Sequence, residues 1–185
     1  MKAGIDYSMS CPAIYIQRDD GSEKWYIVQE VLKLVQETET ISVERHPKYN
    51  SKIERAIHLA KWAVGILRAE GVEVVNVEGF SMGASNGNAI FDIGAHGGIL
   101  FYEIFKHNIA VNFIPPSTVK KSFTGNGSAK KEDMCSKFFE LKGWRFSDVL
   151  GVKENDSPEN DLVDAYAIAH CDVLLDSKAK AKMFM

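Results

Sequence analysis

The sequence predicts an α/β domain built on one hydrophobic core, and three observations carry that prediction. Three short segments rich in β-branched and aromatic residues open the chain, Lys2 to Tyr7, Ala13 to Gln17 and Trp25 to Val31. Beyond them, segments of helical and strand-like periodicity alternate, so the order reads βββ and then αβαβαα. Finally, 185 residues with 45% hydrophobic side chains are enough for one full core and too few for two. Residues 1–176 are therefore expected to form a single domain, followed by a short lysine-rich tail over 177–185.

Each element has a local reason. The first three segments are separated by Ser/Cys/Pro and Asp-Asp-Gly-Ser breaks, the pattern of an antiparallel meander, with Asp19 to Ser22 as the hairpin turn. From Ser51, the residues Ile53, Ala56, Ile57, Ala60, Val64 and Leu67 recur at three and four residue spacing until Gly71, which predicts an amphipathic helix. A strand is expected over 72–78, a helix over 88–107, a strand over 109–114 ended by Pro115-Pro116, and a helix over 129–142. Ser157-Pro158-Glu159 has the form of a helix start, Ser as N-cap and Pro at the first position, for a helix running toward Asp176. Residues 117–129 and the tail from Lys178 are expected to be flexible, and the stretch from Glu37 to Asn50 carries no recognisable motif.

A net charge of −3 gives no global reason to expect a nucleic-acid partner, although a local basic stripe can hold one. Three cysteines, Cys11, Cys135 and Cys171, form neither a C-x-x-C pair nor an even set, so no disulfide framework or zinc ribbon is encoded and a reducing compartment fits. Asp6 interrupts any apolar signal core, and Asp92, His96, Glu103 and Lys106 break the most hydrophobic later region. A cytoplasmic, soluble protein is the expectation.

Two candidate chemistries compete around Val77-Glu-Gly-Phe-Ser-Met-Gly83. Gly79-Phe-Ser-Met-Gly83 is a G-x-S-x-G pattern, and a serine esterase built on Ser81 would use a later Asp and His170. Its supporting features fail one by one. Gly83 to Gly87 is made of turn-favouring residues where an elbow needs a helix, and His96-Gly-Gly98 follows the serine although oxyanion glycines should precede it. Six positions separate Asp164 from His170 on one helix, a rotation of about 120° off the shared face. His46, His58, His96 and His107 are expected to be structural or exposed; His170 is left open as an aid near the acids.

The acids make a different pattern. Asp6 and Glu78 each end a strand, and no adjacent Arg or Lys is encoded for either. Asp161 and Asp164 share a helix face otherwise made of Ala165, Ile168 and Ala169. Like charges three apart weaken a helix by a few tenths of a kcal/mol on a solvated face, and partial burial raises that cost. A divalent cation removes the penalty, and an oxygen-only donor set points to Mg²⁺, with Mn²⁺ able to substitute, rather than to zinc.

Gly4-Ile-Asp-x-Ser, Val77-Glu-Gly-Phe, Pro116-Ser-Thr-Val-Lys-Lys-Ser-Phe-Thr-Gly-Asn-Gly-Ser-Ala-Lys-Lys131 and Asp161-x-x-Asp-Ala-x-Ala-Ile-Ala169 together resemble the RuvC-type Holliday-junction resolvases of the RNase H-like superfamily, phage-type members in particular. The segment from Pro116 to Lys131 is the most specific of the four. The resemblance implies a central five-stranded mixed sheet flanked by helices and a homodimer. It also implies a tetrad of Asp6, Glu78, Asp161 and Asp164 holding two Mg²⁺ ions, with Asp6 bridging. By the same matching, Lys120 and Lys131 lie near the cleavage site, Lys121 and Lys130 add to a DNA-binding stripe around Gly125-Asn-Gly127, and Phe80 stacks or wedges at a DNA base. The implied activity is metal-dependent nicking of Holliday junctions and related branched DNA. A non-catalytic branched-DNA binding module is a further alternative.

Overall fold

The computed structural model describes residues 1–30, 37–46, 48–79 and 87–172. Strands β1 (Lys2–Asp6), β2 (Ala13–Gln17), β3 (Glu23–Glu30), β4 (Ile41–His46), β5 (Val74–Glu78) and β6 (Ala110–Ile114) form one mixed sheet in the order β4-β3-β2-β1-β5-β6. Helices α1 (Lys52–Ala69) and α2 (Gly87–Lys106) belong to one side; α3 (Pro116–Thr124), α4 (Lys131–Lys142), α5 (Phe146–Leu150) and α6 (Glu159–Ala169) belong to the other.

Alternation along the strands builds the two cores. Ala3, Ile5, Ile14, Ile16, Val75 and Val77 turn toward α1 and α2, whereas Ala13, Tyr15, Trp25 and Ile27 turn toward α6, as a period of two requires. The β1–β2 and β2–β3 pairs are antiparallel. The hairpin between β2 and β3 closes as expected, with Gly21 at φ +83° and the Arg18 amide donating to Ser22 O at 2.9 Å. Strand β5 runs parallel to β1 with Ile5 opposite Val77, and β6 runs parallel to β5. Ser51 caps α1 by accepting the Glu54 amide at 3.1 Å, satisfying one of the orphan donors of the first turn.

Four expectations are corrected. The sheet has six strands rather than five, because Ile41–His46 pairs in parallel with β3; exposed Glu44 and Arg45 gave this edge strand the look of a loop. Residues 116–124 form α3, which starts at Pro116 in the first turn and ends at Gly125 with φ +83°. Lys, Ser and Thr in that segment signalled a loop, yet Val119 is buried and anchors it. Helix α6 starts at Glu159 with Pro158 as N-cap and ends at Ala169, so it neither uses Ser157 as its cap nor reaches Asp176. The short helix α5 had no clear sequence period. Val31 and the tail lie outside the described residues.

Candidate active site

Three chain segments meet at one end of the sheet. Asp6 is the last residue of β1 and Glu78 the last of β5, one step beyond the Ile5–Val77 pair, on strands about 4.8 Å apart. Gly4 and Asp6 share a face of β1, and Asn76 and Glu78 share the same face of β5. That face is covered by α6. Asn76 Nδ2 donates to Ile168 O at 2.9 Å and Cys171 O at 3.3 Å, and Asn112 Nδ2 braces Asn76 Oδ1 at 2.9 Å. With the C-terminal end of α6 pinned there, its first turns carry Asp161 and Asp164 toward the two strand-end acids.

The electrostatics record the convergence. The Asp6 carboxyl is held well above the usual carboxylate range by burial and then by Asp164, Asp161 and Glu78, with Lys131 opposing. Burial, Glu78 and Asp161 push Asp164 up to about 7, against Lys131 and Lys120. Burial raises Glu78, while Lys120 lowers it. Burial also raises Asp161, partly offset by hydrogen bonds from Ser157 and Cys11 and by the charge of Lys131. Desolvation and like charge act together here, so the four carboxylates form one coupled group.

Lysines from consecutive helices face this group. Lys120 comes from α3 and Lys131 opens α4; both act on Asp164. Lys121 and Lys130 are exposed beside them, and Lys121 lines a concave surface with Ser117, Thr118, Ser122 and Gly127. Gly127 sits so close to α3 that a β-carbon there would stand 3.1 Å from Ser117 O.

An oxygen-only donor set of mutually repelling, largely buried carboxylates fits a hard divalent cation. Among the described residues no group of three or more His, Cys, Asp or Glu stands as a ready-made metal cage. Repulsion among four unscreened carboxylates opposes such close spacing, and a cation reverses its sign.

The open question of His170 is answered by its surroundings, which are not those of the acids. Its ring packs against Tyr15 and Tyr166, its Nδ1 lies 2.9 Å from Tyr166 O, and its charged neighbours are Lys2, Lys142 and Glu23. Six residues of helix carry it about 9 Å along the axis from Asp164. His96-Gly-Gly98 lies inside α2, with the buried His96 ring stacked on Tyr7 at 4.2 Å. Phe80 and Ser81 lie outside the described residues.

Several site residues had no sequence signal. Ser157 Oγ donates to Asp161, and Gln29 Nε2 donates to Cys11 nearby. Burial pushes the Cys11 thiol up to about 12, so it acts as a hydrogen-bond donor. Glu159, almost wholly buried, accepts from Ser147 N, Ser147 Oγ and Asn155 N and ties α5 and the following loop to the start of α6.

The mixed sheet flanked by helices on both faces has the RNase H-like fold. A family model described as crossover junction endodeoxyribonuclease RuvC matches residues 30–172. The chain belongs to the RuvC family. It is 29% identical over 126 residues to the crossover junction endodeoxyribonuclease RuvC of Caldicellulosiruptor saccharolyticus, covering 68% of this chain and 70% of that protein. It is 31% identical over 87 residues to the RuvC of Corynebacterium jeikeium, covering 47% and 48%. Among solved structures, Thermus thermophilus RuvC matches with a TM-score of 0.56 and 22% identity over 98% of this chain and 95% of that one. T. thermophilus RuvC in complex with a Holliday junction substrate matches at 0.59 and 20% over 90% and 88%; these two likenesses concern the fold.

Proposed function

We propose that this chain is a Mg²⁺-dependent, structure-selective endodeoxyribonuclease that nicks four-way DNA junctions as a homodimer, with Mn²⁺ able to replace Mg²⁺. The observation that carries the reading is the meeting of Asp6, Glu78, Asp161 and Asp164 where the ends of β1 and β5 face the first turns of α6, with their charges opposing one another, in a chain of the RuvC family. Local stability gives no reason to gather four acids, whereas phosphodiester hydrolysis does.

Asp6, Glu78, Asp161 and Asp164 would hold the ions. Bound there, two divalent ions supply activation of water and stabilisation of the departing oxygen in an in-line displacement. The chain's own part is to orient its four carboxylates and place the scissile phosphate. Lys131 and Lys120 bring positive charge to the rim of the pocket, where a phosphate approaches, and Lys121 and Lys130 extend it along the flank. Such contacts fix position without reading sequence. Phe80, one residue beyond Gly79, is the proposed base-stacking side chain.

The homodimer reading is supported by an apolar face on α2. Phe91, Tyr102 and Phe105 are 74%, 63% and 73% exposed at helical spacing, with Gly94 and Gly98 between them open to close approach. Ile53 and Ile57 on the neighbouring α1 extend it. Contiguous exposed apolar surface of this kind marks a contact site, and a two-fold pair of active sites suits a junction with two equivalent strands.

A gel assay with four-way junction, fork and duplex substrates in Mg²⁺, Mn²⁺ or EDTA tests the proposal. Wild type is expected to nick the junction only with a divalent ion, and Asp6→Asn to bind it without cutting. Cutting by Asp6→Asn would remove the carboxylate assignment. Binding of junctions without nicking in either ion would leave a non-catalytic binding module instead.

A further inference from the structure

Asp161 differs from an ordinary surface acid in how its carboxylate is engaged. Ser157 Oγ donates to Oδ2 at 2.5 Å, and Asn160 Nδ2 reaches Oδ1 at 3.3 Å. The buried Cys11 thiol stands beside the same carboxylate, and its proximity helps to hold the Asp161 pKa down against burial. Behind it, Gln29 Nε2 lies 3.8 Å from Cys11 Sγ. An ionised carboxylate offers roughly four acceptor sites; one donor on each oxygen, with the thiol alongside, restricts its rotation.

These partners come from separate parts of the fold. Gln29 lies on β3, Cys11 in the connection between β1 and β2, and Ser157 just ahead of α6. Cys11 is itself set in place by its amide, which donates to Ser8 Oγ at 3.0 Å two residues beyond Asp6. Cys11, Gln29, Asn160 and Asp161 are all more than nine-tenths buried. Gln29 Oε1 and Asn160 Oδ1 are buried without a hydrogen-bond partner among the described residues, and each such atom costs stability. An apolar side chain at position 29 would avoid that cost. What the amide supplies instead is a donor to the thiol beside Asp161.

We infer that Ser157, Cys11 and Gln29 are positioning residues that lock the Asp161 carboxylate in one orientation toward Asp6 and Asp164, so that a divalent cation meets a preset ligand. The inference rests on the proposed metal centre. It adds a layer to it: strand β3, which carries none of the four acids, holds one of them through a thiol. Groups that orient ligands in this way typically contribute 10–100-fold to metal affinity.

The test is Mn²⁺ binding followed by electron paramagnetic resonance, alongside junction affinity in EDTA and the melting temperature. Ser157→Ala and Cys11→Val are expected to weaken Mn²⁺ binding about tenfold or more, with junction affinity in EDTA unchanged. Ser157→Thr and Cys11→Ser, which keep a donor, are expected to stay within about threefold of wild type on the same scale. Gln29→Leu should fall between the two groups. A merely structural role would move the melting temperature without this split between donor-keeping and donor-lacking variants. Wild-type Mn²⁺ affinity in a folded Cys11→Val or Ser157→Ala overturns the inference while leaving the metal centre intact. Should Ser157→Ala not fold, the Cys11→Val and Cys11→Ser pair decides on the same readout. Absence of Mn²⁺ binding by wild type, or equal binding by Asp6→Asn, overturns the metal centre and this inference with it.

Discussion

Gly4 on β1 and Ala169 on α6 approach so closely that a β-carbon at position 4 would lie 2.4 Å from the Ala169 amide nitrogen, and equally close to Ala165 O. Both obstacles are backbone, so no side-chain rotation relieves the clash. The small residues of this contact let α6 lie directly on the strand that ends in Asp6.

Gly4→Ala is therefore expected to destabilise the fold by about 3 kcal/mol, the upper end for overpacking, and to lift α6 away from β1. Thermal melting measures the first effect. Cleavage should fall further than the folded fraction does, since Asp161 and Asp164 move with the helix; activity that tracks only the folded fraction would show that this packing does not set the site.

Asp164 carries the opposite kind of strain. Its folded carboxyl is raised to about 7 from an ordinary 3.8, so the folded state binds more protons than the unfolded one between those values. The associated stability is present below about 3.8 and is lost as pH rises through 7. In EDTA at pH 8, Asp164→Asn is expected to melt several degrees above wild type while losing cleavage in Mg²⁺. The melting gain should shrink toward pH 4. A variant less stable than wild type in EDTA at pH 8 would contradict the repulsion described for the pocket.

His96 gives a second pH effect of opposite sign. Burial against Tyr7 lowers its pKa from 6.5 to about 4, so the unfolded state binds the extra proton. Stability from this group is complete above pH 6.5 and is lost as pH falls toward 4. The shift corresponds to roughly 3 kcal/mol. His96→Phe, which keeps a ring for the Tyr7 stack, should flatten the denaturation midpoint between pH 6.5 and 4.5. An unchanged slope would place the titration elsewhere.

Phe105, 73% exposed on α2, gives a test of assembly. Phe105→Glu is expected to melt within about 0.5 kcal/mol of wild type as a surface change away from the core and to sediment as a monomer at concentrations where wild type is a dimer. Loss of paired nicking on opposite junction strands should accompany it. Unchanged sedimentation would move the two-fold contact off this face.

Much of this protein was legible along the chain. Hydrophobic period placed β2, α1 and α4 within a residue or two, because those elements each present one face to a core and local spacing records that face. The acids were legible too, since charge at a strand end or on a small apolar helix face conflicts with its surroundings even in isolation. Helix α3 was hidden because the packing of Val119 and Phe123 against the core outweighs a run of Lys, Ser and Thr. Strand β4 was hidden because an edge strand needs only one partner, and β3 is a partner distant in sequence.

What the sequence determined alone is therefore the α/β class and the family resemblance, and it singled out the four acids as candidates. Only the tertiary structure decided that His170 faces Tyr15 and Tyr166 rather than the acids, and that Ser157 bonds Asp161 while Gln29 reaches the neighbouring Cys11. The reason is that orientation around a carboxylate depends on where β3, the β1–β2 connection and α6 cross in space. Local propensity fixes the elements; the parallel β1–β5 register and the bare Gly4 contact fix their meeting point.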